Sequence, residues 1–177
     1  MADNGMAARL AELAGLPLPA ALAALAADGL LTAGAVSEAL QVALALAATE
    51  PPEVAGWMPL LSAWAGAAGG DPAVTARLHY VQSRLALENG NFETAEAALQ
   101  AARALWQQIG DETSLARSGL GLTQLLAMQG RFDEAETVIR SAIATLDAVA
   151  EAAQDRDARL LALDARQNFA TLLSYQE

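Results

Sequence analysis

The chain has 177 residues, a formal net charge of −11 and no cysteine; 54% of its residues are hydrophobic but only 5% are aromatic. This charge disfavours a binder of nucleic acids or anionic membranes, which needs a basic face. The lack of cysteine excludes disulfides and thiolate metal sites. Composition predicts one all-α domain, because alanine, the best helix former, is abundant. No basic segment of a signal peptide begins the chain, so we expect a cytoplasmic protein.

Two short helices are predicted before residue 32. Leucine and alanine at helical spacing place the first at residues 4–14 and the second from about residue 18 to Ala27. Gly15 ends the first helix and Asp28-Gly29 ends the second, whereas the prolines lie at a helix start, where they are tolerated. We interpret residues 1–31 as an N-terminal helical cap.

A pattern in the middle of the chain recurs at an interval of 40 residues. The equivalent pairs are Gly90/Gly130, Phe92/Phe132, Ala95/Ala135, Glu96/Glu136 and Ala102/Ala142. Each copy begins at an aspartate N-cap, Asp71 or Asp111, and consists of a helix, a turn glycine and a second amphipathic helix. This pattern predicts repeats at residues 72–110 and 111–156.

The two helices expected between Thr32 and Gly70 have the same lengths and interval. Thr32 is an expected N-cap, and the run from Thr49 to Glu53 separates the helices. Gly70 and Asp71 lie 40 residues before Gly110 and Asp111. Residues 32–71 are therefore interpreted as a degenerate repeat.

The last predicted helix, at about residues 158–175, aligns with the first helix of a repeat, so we assign residues 157–177 to a partial repeat or a cap helix. The polar run from Glu151 to Asp157 predicts a longer connection before it. A cap needs a polar outer face, yet apolar residues cover more than one face of this helix: Leu160, Leu161, Leu163, Phe169, Leu172 and Leu173. We therefore favour a fragment of a longer protein, with a homodimer through the C-terminal helix as an alternative.

These patterns resemble the tetratricopeptide repeat (TPR), a helix–turn–helix unit that stacks into an α-solenoid. The interval exceeds the usual value of about 34 residues and resembles a longer variety, common in bacterial signalling proteins, with an Ile109-Gly110-Asp111 connector. The large aromatic residue expected early in the first helix is replaced by His79, Gly119 and Arg166. The resemblance implies an all-α solenoid that binds proteins, is not an enzyme and needs no cofactor.

The resemblance also implies that one face of the first helix of each repeat lines a concave groove for a peptide or a partner helix. Carried over to this chain, the face comprises Ser37, Leu40, Leu44, Arg77, Tyr80, Arg84, Leu87, Arg117, Leu120, Gln124, Asp164, Gln167 and Thr171. The arginines among them favour an acidic partner, because guanidinium groups bind carboxylates bidentately. The alternative is that they pair with the chain's own acids, such as Glu88 or Asp164.

No residue pattern predicts catalysis or a metal site. His79 is the single histidine and has no ligand partner at helical spacing, so we interpret it as a packing residue. The carboxylate pairs Glu93/Glu96 and Glu134/Glu136 lie at helix N-termini, where the helix dipole stabilises negative charge.

Two tryptophans, Trp57 and Trp64, are seven residues apart on one helix face and are expected to seal the core. The favoured function is a non-enzymatic interaction scaffold. The alternatives are a regulatory or sensor arm of a larger bacterial signalling enzyme and a self-associating structural scaffold.

Overall fold

Nine α-helices and no strand make up residues 4–153 and 156–174, the part of the chain that the computed structural model describes. The helices are α1 Asn4–Ala14, α2 Leu18–Ala27, α3 Ala33–Leu46, α4 Pro51–Ala67, α5 Pro72–Glu88, α6 Phe92–Ile109, α7 Glu112–Met128, α8 Phe132–Ala153 and α9 Arg156–Ser174. The predicted fold class, an all-α helical-repeat protein of the solenoid type, is confirmed. None of the described helices is both long and apolar enough to cross a lipid bilayer.

The helix starts and turns follow the residues that predicted them. Side-chain oxygens of Thr32, Asp71 and Asp111 accept hydrogen bonds from first-turn backbone N–H groups at 2.8–3.2 Å. Such caps satisfy donors that have no partner within the helix. Gly90 and Gly130 end α5 and α7 with φ angles of +69° and +74°, a conformation that other residues adopt at a cost. The two hairpins α5–α6 and α7–α8 therefore share one turn geometry.

The chain divides into two compact units, Met1–Leu105 and Trp106–Glu177, with the boundary inside α6. In the first unit, α1 to α5 pack around a core that contains Leu25, Leu40 and Leu61. Trp57 and Trp64 are only 2% and 1% exposed, so their predicted core role is confirmed. The indole Nε1–H of Trp64 donates to the carbonyl oxygen of Leu30 at 2.8 Å.

In the second unit, α8 packs against both α7 and α9. Its core consists of small and aliphatic side chains: Ala116, Leu126, Ala135, Ile139, Leu146, Ala162 and Ala165. Ala135 and Ala142, predicted as the small packing residues of the second helix of the repeat, are 0% and 5% exposed. Small side chains let the helix axes approach closely, which is the packing expected of such a hairpin.

The expected long connection before the last helix is largely helical. α8 continues to Ala153 and α9 begins at Arg156, while Gln154 and Asp155 lie outside the described residues. The run from Val149 to Ala153 includes three alanines and one glutamate, which are strong helix formers, so the polar character of this segment does not end α8.

Candidate functional site

The α7 helix packs on α8 through a face with small side chains. A Cβ atom added to Gly119 would lie 3.0 Å from the Cβ of Ala142, so the two helices almost touch at this point. The buried hydroxyl of Thr123 on α7 donates to the carbonyl oxygen of Gly119 at 2.8 Å and needs no other partner. This packing turns Leu120 and Gln124 away from the tightest contact with α8.

The position of α9 on α8 is fixed by buried alanines and by two side-chain contacts at the margin of the interface between the two helices. Ala158 and Ala165 are fully buried. Arg166 forms an ion pair with Asp147 of α8 at 2.6 Å. The guanidinium of Arg140 on α8 lies 4.6 Å from the ring centroid of Phe169, a distance at which cation–π attraction contributes.

Between α7 and α9 lies a cavity of about 430 Å³, which we call the α7/α9 groove. Its lining consists of Leu120, Thr123, Gln124, Ala127, Met128, Phe132, Asn168 and Thr171. Ligand pockets commonly have volumes in the range of about 300 to 1,000 Å³. None of the lining side chains is ionisable, so the groove suits uncharged apolar groups; the hydroxyls of Thr123 and Thr171 already donate to backbone carbonyls of their own helices.

Of the groove residues expected from the sequence, Leu120, Gln124 and Thr171 line this cavity together. Arg117 and Gln167 are exposed but do not line it. The sequence reasoning missed the other five lining residues, which are Thr123, Ala127, Met128, Phe132 and Asn168. Met128 follows Gln124 by four residues on the same helix face, a spacing that could have identified it.

In the first unit, the expected groove positions are buried or engaged with one another. Leu40, Tyr80 and Leu87 are 0%, 7% and 4% exposed, so these side chains offer almost no surface to a partner. Ser37 of α3 accepts a hydrogen bond from Nη1 of Arg77 on α5. Apolar residues lie on more than one side of α3 and of α5. Helical spacing alone therefore did not show which side packs into the core and which side stays exposed.

The arginines differ in what they already bind. Arg84 pairs with Glu88 at 3.2 Å, as the alternative interpretation of the sequence expected. Arg117 is exposed and makes no hydrogen bond or ion pair within the described part of the chain. Leu44 and Asp164 complete the expected set; Leu44 packs half-buried against the core of the first unit, and Asp164 is exposed.

The turn beside the groove is held by Arg131, which precedes Phe132. Its guanidinium donates to both carboxylate oxygens of Glu134 at 2.8 and 2.7 Å and to the side-chain oxygen of Gln129 at 2.9 Å. The hydrogen bond from Arg131 holds the pKa of Glu134 below its ordinary value. This arginine is therefore engaged in the turn, and Glu134 has a structural role in the first turn of α8.

The remaining polar candidates do not assemble into a chemical site. His79 lies with Nδ1 3.0 Å from Oε1 of Gln82, within its own helix. Glu136 pairs with Arg140 at 2.7 Å. Among the residues the structure describes, no group of three or more His, Cys, Asp or Glu side chains could hold a metal ion.

A family model described as tetratricopeptide repeat matches residues 74–148, which extend from α5 into α8. No curated protein and no solved structure matches the chain. The matched segment contains both hairpins with the shared turn glycines, and it includes most of the residues that line the α7/α9 groove. Residues 74–148 therefore belong to the tetratricopeptide repeat family, whose repeats generally mediate interactions between proteins.

Proposed function

We propose that the chain is a non-enzymatic interaction module that binds an extended peptide segment in the α7/α9 groove. The observation that carries this proposal is that Leu120, Gln124 and Thr171, each expected from the repeat pattern to contact a partner, meet in one cavity. The repeats are typically non-catalytic, which agrees with this function. The proposed repeat boundaries remain residues 32–71, 72–110, 111–156 and 157–177, after a cap at residues 1–31.

The lining of the groove supports capture of an apolar side chain of the peptide. Leu120, Met128 and Phe132 provide apolar contact, and Met128 is 52% exposed in the absence of a partner. Burying an apolar side chain stabilises a complex by about 25 cal/mol per Å² of area removed from water. The amide of Asn168 can hydrogen-bond the peptide backbone, whose polar groups need new partners once they leave water.

An acidic residue of the peptide would be bound by Arg117. This arginine lies seven residues before Gln124, about 10 Å along the same face of α7. It has no internal partner in the described part of the chain, whereas Arg77 and Arg84 bind Ser37 and Glu88. The proposed preference for acidic peptides therefore rests mainly on Arg117. It concerns a peptide residue beside the cavity and not the residue that enters the cavity.

The test is selection of peptides from a random displayed library on the immobilised chain, followed by affinity measurements with fluorescently labelled peptides. Met128→Glu introduces a charge at the cavity, and we expect it to weaken binding at least about tenfold, about 1.4 kcal/mol. Ile109→Glu is the matched control, because Ile109 is 41% exposed and does not line the groove. The proposal is contradicted if no peptide is enriched, or if both variants bind the selected peptides as the wild type does.

A self-associating structural scaffold is the second candidate function. It is favoured by the exposure of Leu160 and Leu163 on α9, which are 50% and 59% exposed. Self-association and peptide capture use different residues, so each is tested with its own variants.

A further inference from the structure

The outer face of α9 carries apolar residues that no described residue of its unit covers. Ala158, Ala162 and Ala165, on the side that packs against α8, are at most 2% exposed. Leu160 and Leu163 lie on the other side of the helix and are 50% and 59% exposed. Each residue of an α-helix turns by about 100°, so these leucines point nearly opposite to the buried alanines. Water therefore contacts two adjacent leucines on one helix face.

The exposed residues on this face follow a regular spacing. The α9 seam, as we name it, comprises Arg156, Leu160, Leu163, Gln167 and Ala170, at successive intervals of four, three, four and three residues. All five side chains are exposed. Alternating intervals of three and four residues are the pattern by which two helices pair along a common seam. Asn168 and Thr171, which line the groove, are not members of the seam, although Thr171 lies one helical turn after Gln167.

We propose that the α9 seam binds the α9 seam of a second copy of this chain in an antiparallel arrangement, an inference that rests on the second candidate function, self-association. In the register that aligns the midpoints of the two seams, Leu160 lies opposite Ala170 of the second copy, and Leu163 lies opposite its Gln167. Each large side chain then faces a smaller or more flexible one, as close packing of two helices requires. The contact is self-complementary, which a two-fold symmetric dimer needs.

Charge favours the antiparallel orientation. Arg156 and Arg159 lie in the first turn of α9, are exposed, and have no ion pair within the described residues. A parallel pair would place these arginines beside their copies. The antiparallel pair places them near the C-terminal end of the other α9, where the negative end of the helix dipole attracts positive charge.

The local charge of α9 also favours this helix as the interface between two acidic molecules. The chain carries a net charge of −11. By contrast, α9 contains three arginines and two aspartates. One of the three, Arg166, is already paired with Asp147, which limits its repulsion from a second copy. The rest of each molecule still repels the other, so the dimer should strengthen when added salt screens this repulsion.

The seam is short, so the dimer should be weak and concentration-dependent. A helix of the length of α9 extends over about 28 Å, and two such helices bury less than the area of a standard stable interface, about 1,600 Å². We therefore expect sedimentation velocity to show an average mass that rises from monomer towards dimer between about 10 μM and 1 mM.

Two substitutions test the seam in opposite directions. Leu163→Glu should leave the chain monomeric over the whole range, whereas Gln167→Leu should strengthen dimerisation because it extends the apolar seam. Leu18→Glu is the matched control, since Leu18 is 40% exposed on α2, outside the seam, and it should dimerise as the wild type does. Circular dichroism of each variant verifies that the helix content is retained.

Orientation is tested by cross-linking, because the chain has no cysteine of its own. A short bismaleimide should join Leu163→Cys to Gln167→Cys in a mixture of the two single variants. Two molecules of Leu160→Cys should not be cross-linked to each other, because their cysteines are about 15 Å apart along the helices in the antiparallel register. Efficient cross-linking of Leu160→Cys to itself would overturn the proposed register.

Three further results would overturn the proposal. The first is a wild-type chain that stays monomeric throughout the concentration range. The second is equal loss of dimer in Leu163→Glu and in the Leu18→Glu control. The third is weakening of the dimer by salt, which would indicate that opposite charges hold the two copies together rather than the apolar seam. None of these outcomes bears on peptide binding in the groove, which is measured separately.

Discussion

The close contact between α7 and α8 at Gly119 can be tested by adding one methyl group. In Gly119→Ala the new Cβ would lie 3.0 Å from the Cβ of Ala142 and 3.7 Å from Cγ1 of Val138. Two carbon atoms attract best at about 3.5–4.0 Å, so the helices must move apart by roughly 0.5 Å. The atom that is contacted belongs to a helix and is not the end of a flexible side chain, so the backbone has to shift.

Two effects of opposite sign determine the size of the change. Overpacking of a well-packed core costs about 1–3 kcal/mol. Replacing glycine by alanine inside a helix contributes a gain of about 1 kcal/mol. We therefore expect Gly119→Ala to lower the free energy of unfolding by about 1 kcal/mol. Gly56→Ala in α4 is the control: its Cβ would meet no atom within 4 Å, so this variant should be more stable by up to about 1 kcal/mol.

Urea denaturation followed by far-ultraviolet circular dichroism measures both variants. The double variant with Ala142→Gly adds a second check, because removing the contacted methyl group should recover part of the loss as a coupling energy of about 1 kcal/mol. The reasoning is refuted if Gly119→Ala stabilises the chain as much as Gly56→Ala does, since α7 and α8 would then not approach as closely as described.

Three further predictions concern capping, pH and the first core. Asp71→Ala should lower the free energy of unfolding by about 1 kcal/mol, because it removes the N-cap of α5; urea denaturation measures it. Arg131 lowers the pKa of Glu134. This ion pair therefore stabilises the fold at pH values above the ordinary glutamate pKa of about 4.3, and its contribution is lost as the pH falls through the lowered pKa. Thermal melts of Glu134→Gln should therefore differ from wild type at neutral pH and converge with it in acid. Trp64→Phe should cost about 1–3 kcal/mol, since it leaves the carbonyl of Leu30 without its donor; tryptophan fluorescence in urea measures this loss.

The helices were predictable because their ends carry strong local signals. Asp71 followed by proline, and the glycines Gly90 and Gly130 at an interval of 40 residues, act through local backbone geometry that needs no tertiary information. The connection after α8 was less predictable than the extent of α8 itself. The polar run from Glu151 to Asp157 suggested a longer connection, whereas α8 continues to Ala153 and α9 begins at Arg156, because the alanines in this run favour a helix.

The site was predictable only in part, because a helix can have two apolar sides and the spacing does not show which one becomes covered. Leu40 and Leu120 occupy corresponding faces in the pattern, yet Leu40 is fully buried and Leu120 lines an open cavity. On α9 the prediction chose Gln167, whereas its neighbour Asn168 lines the groove. A difference of one residue corresponds to a rotation of about 100°, and only the packing of α9 on α8 fixes that angle.

The central claim, that α7 and α9 form a peptide-binding groove, is tested most directly by nuclear magnetic resonance of the isotopically labelled chain during titration with a selected peptide. The account predicts that the largest changes in backbone amide shifts fall between Leu120 and Met128 on α7 and between Asn168 and Thr171 on α9. Changes concentrated on the exposed side of α8, between Asp133 and Arg140, or spread over the first unit alone would contradict it.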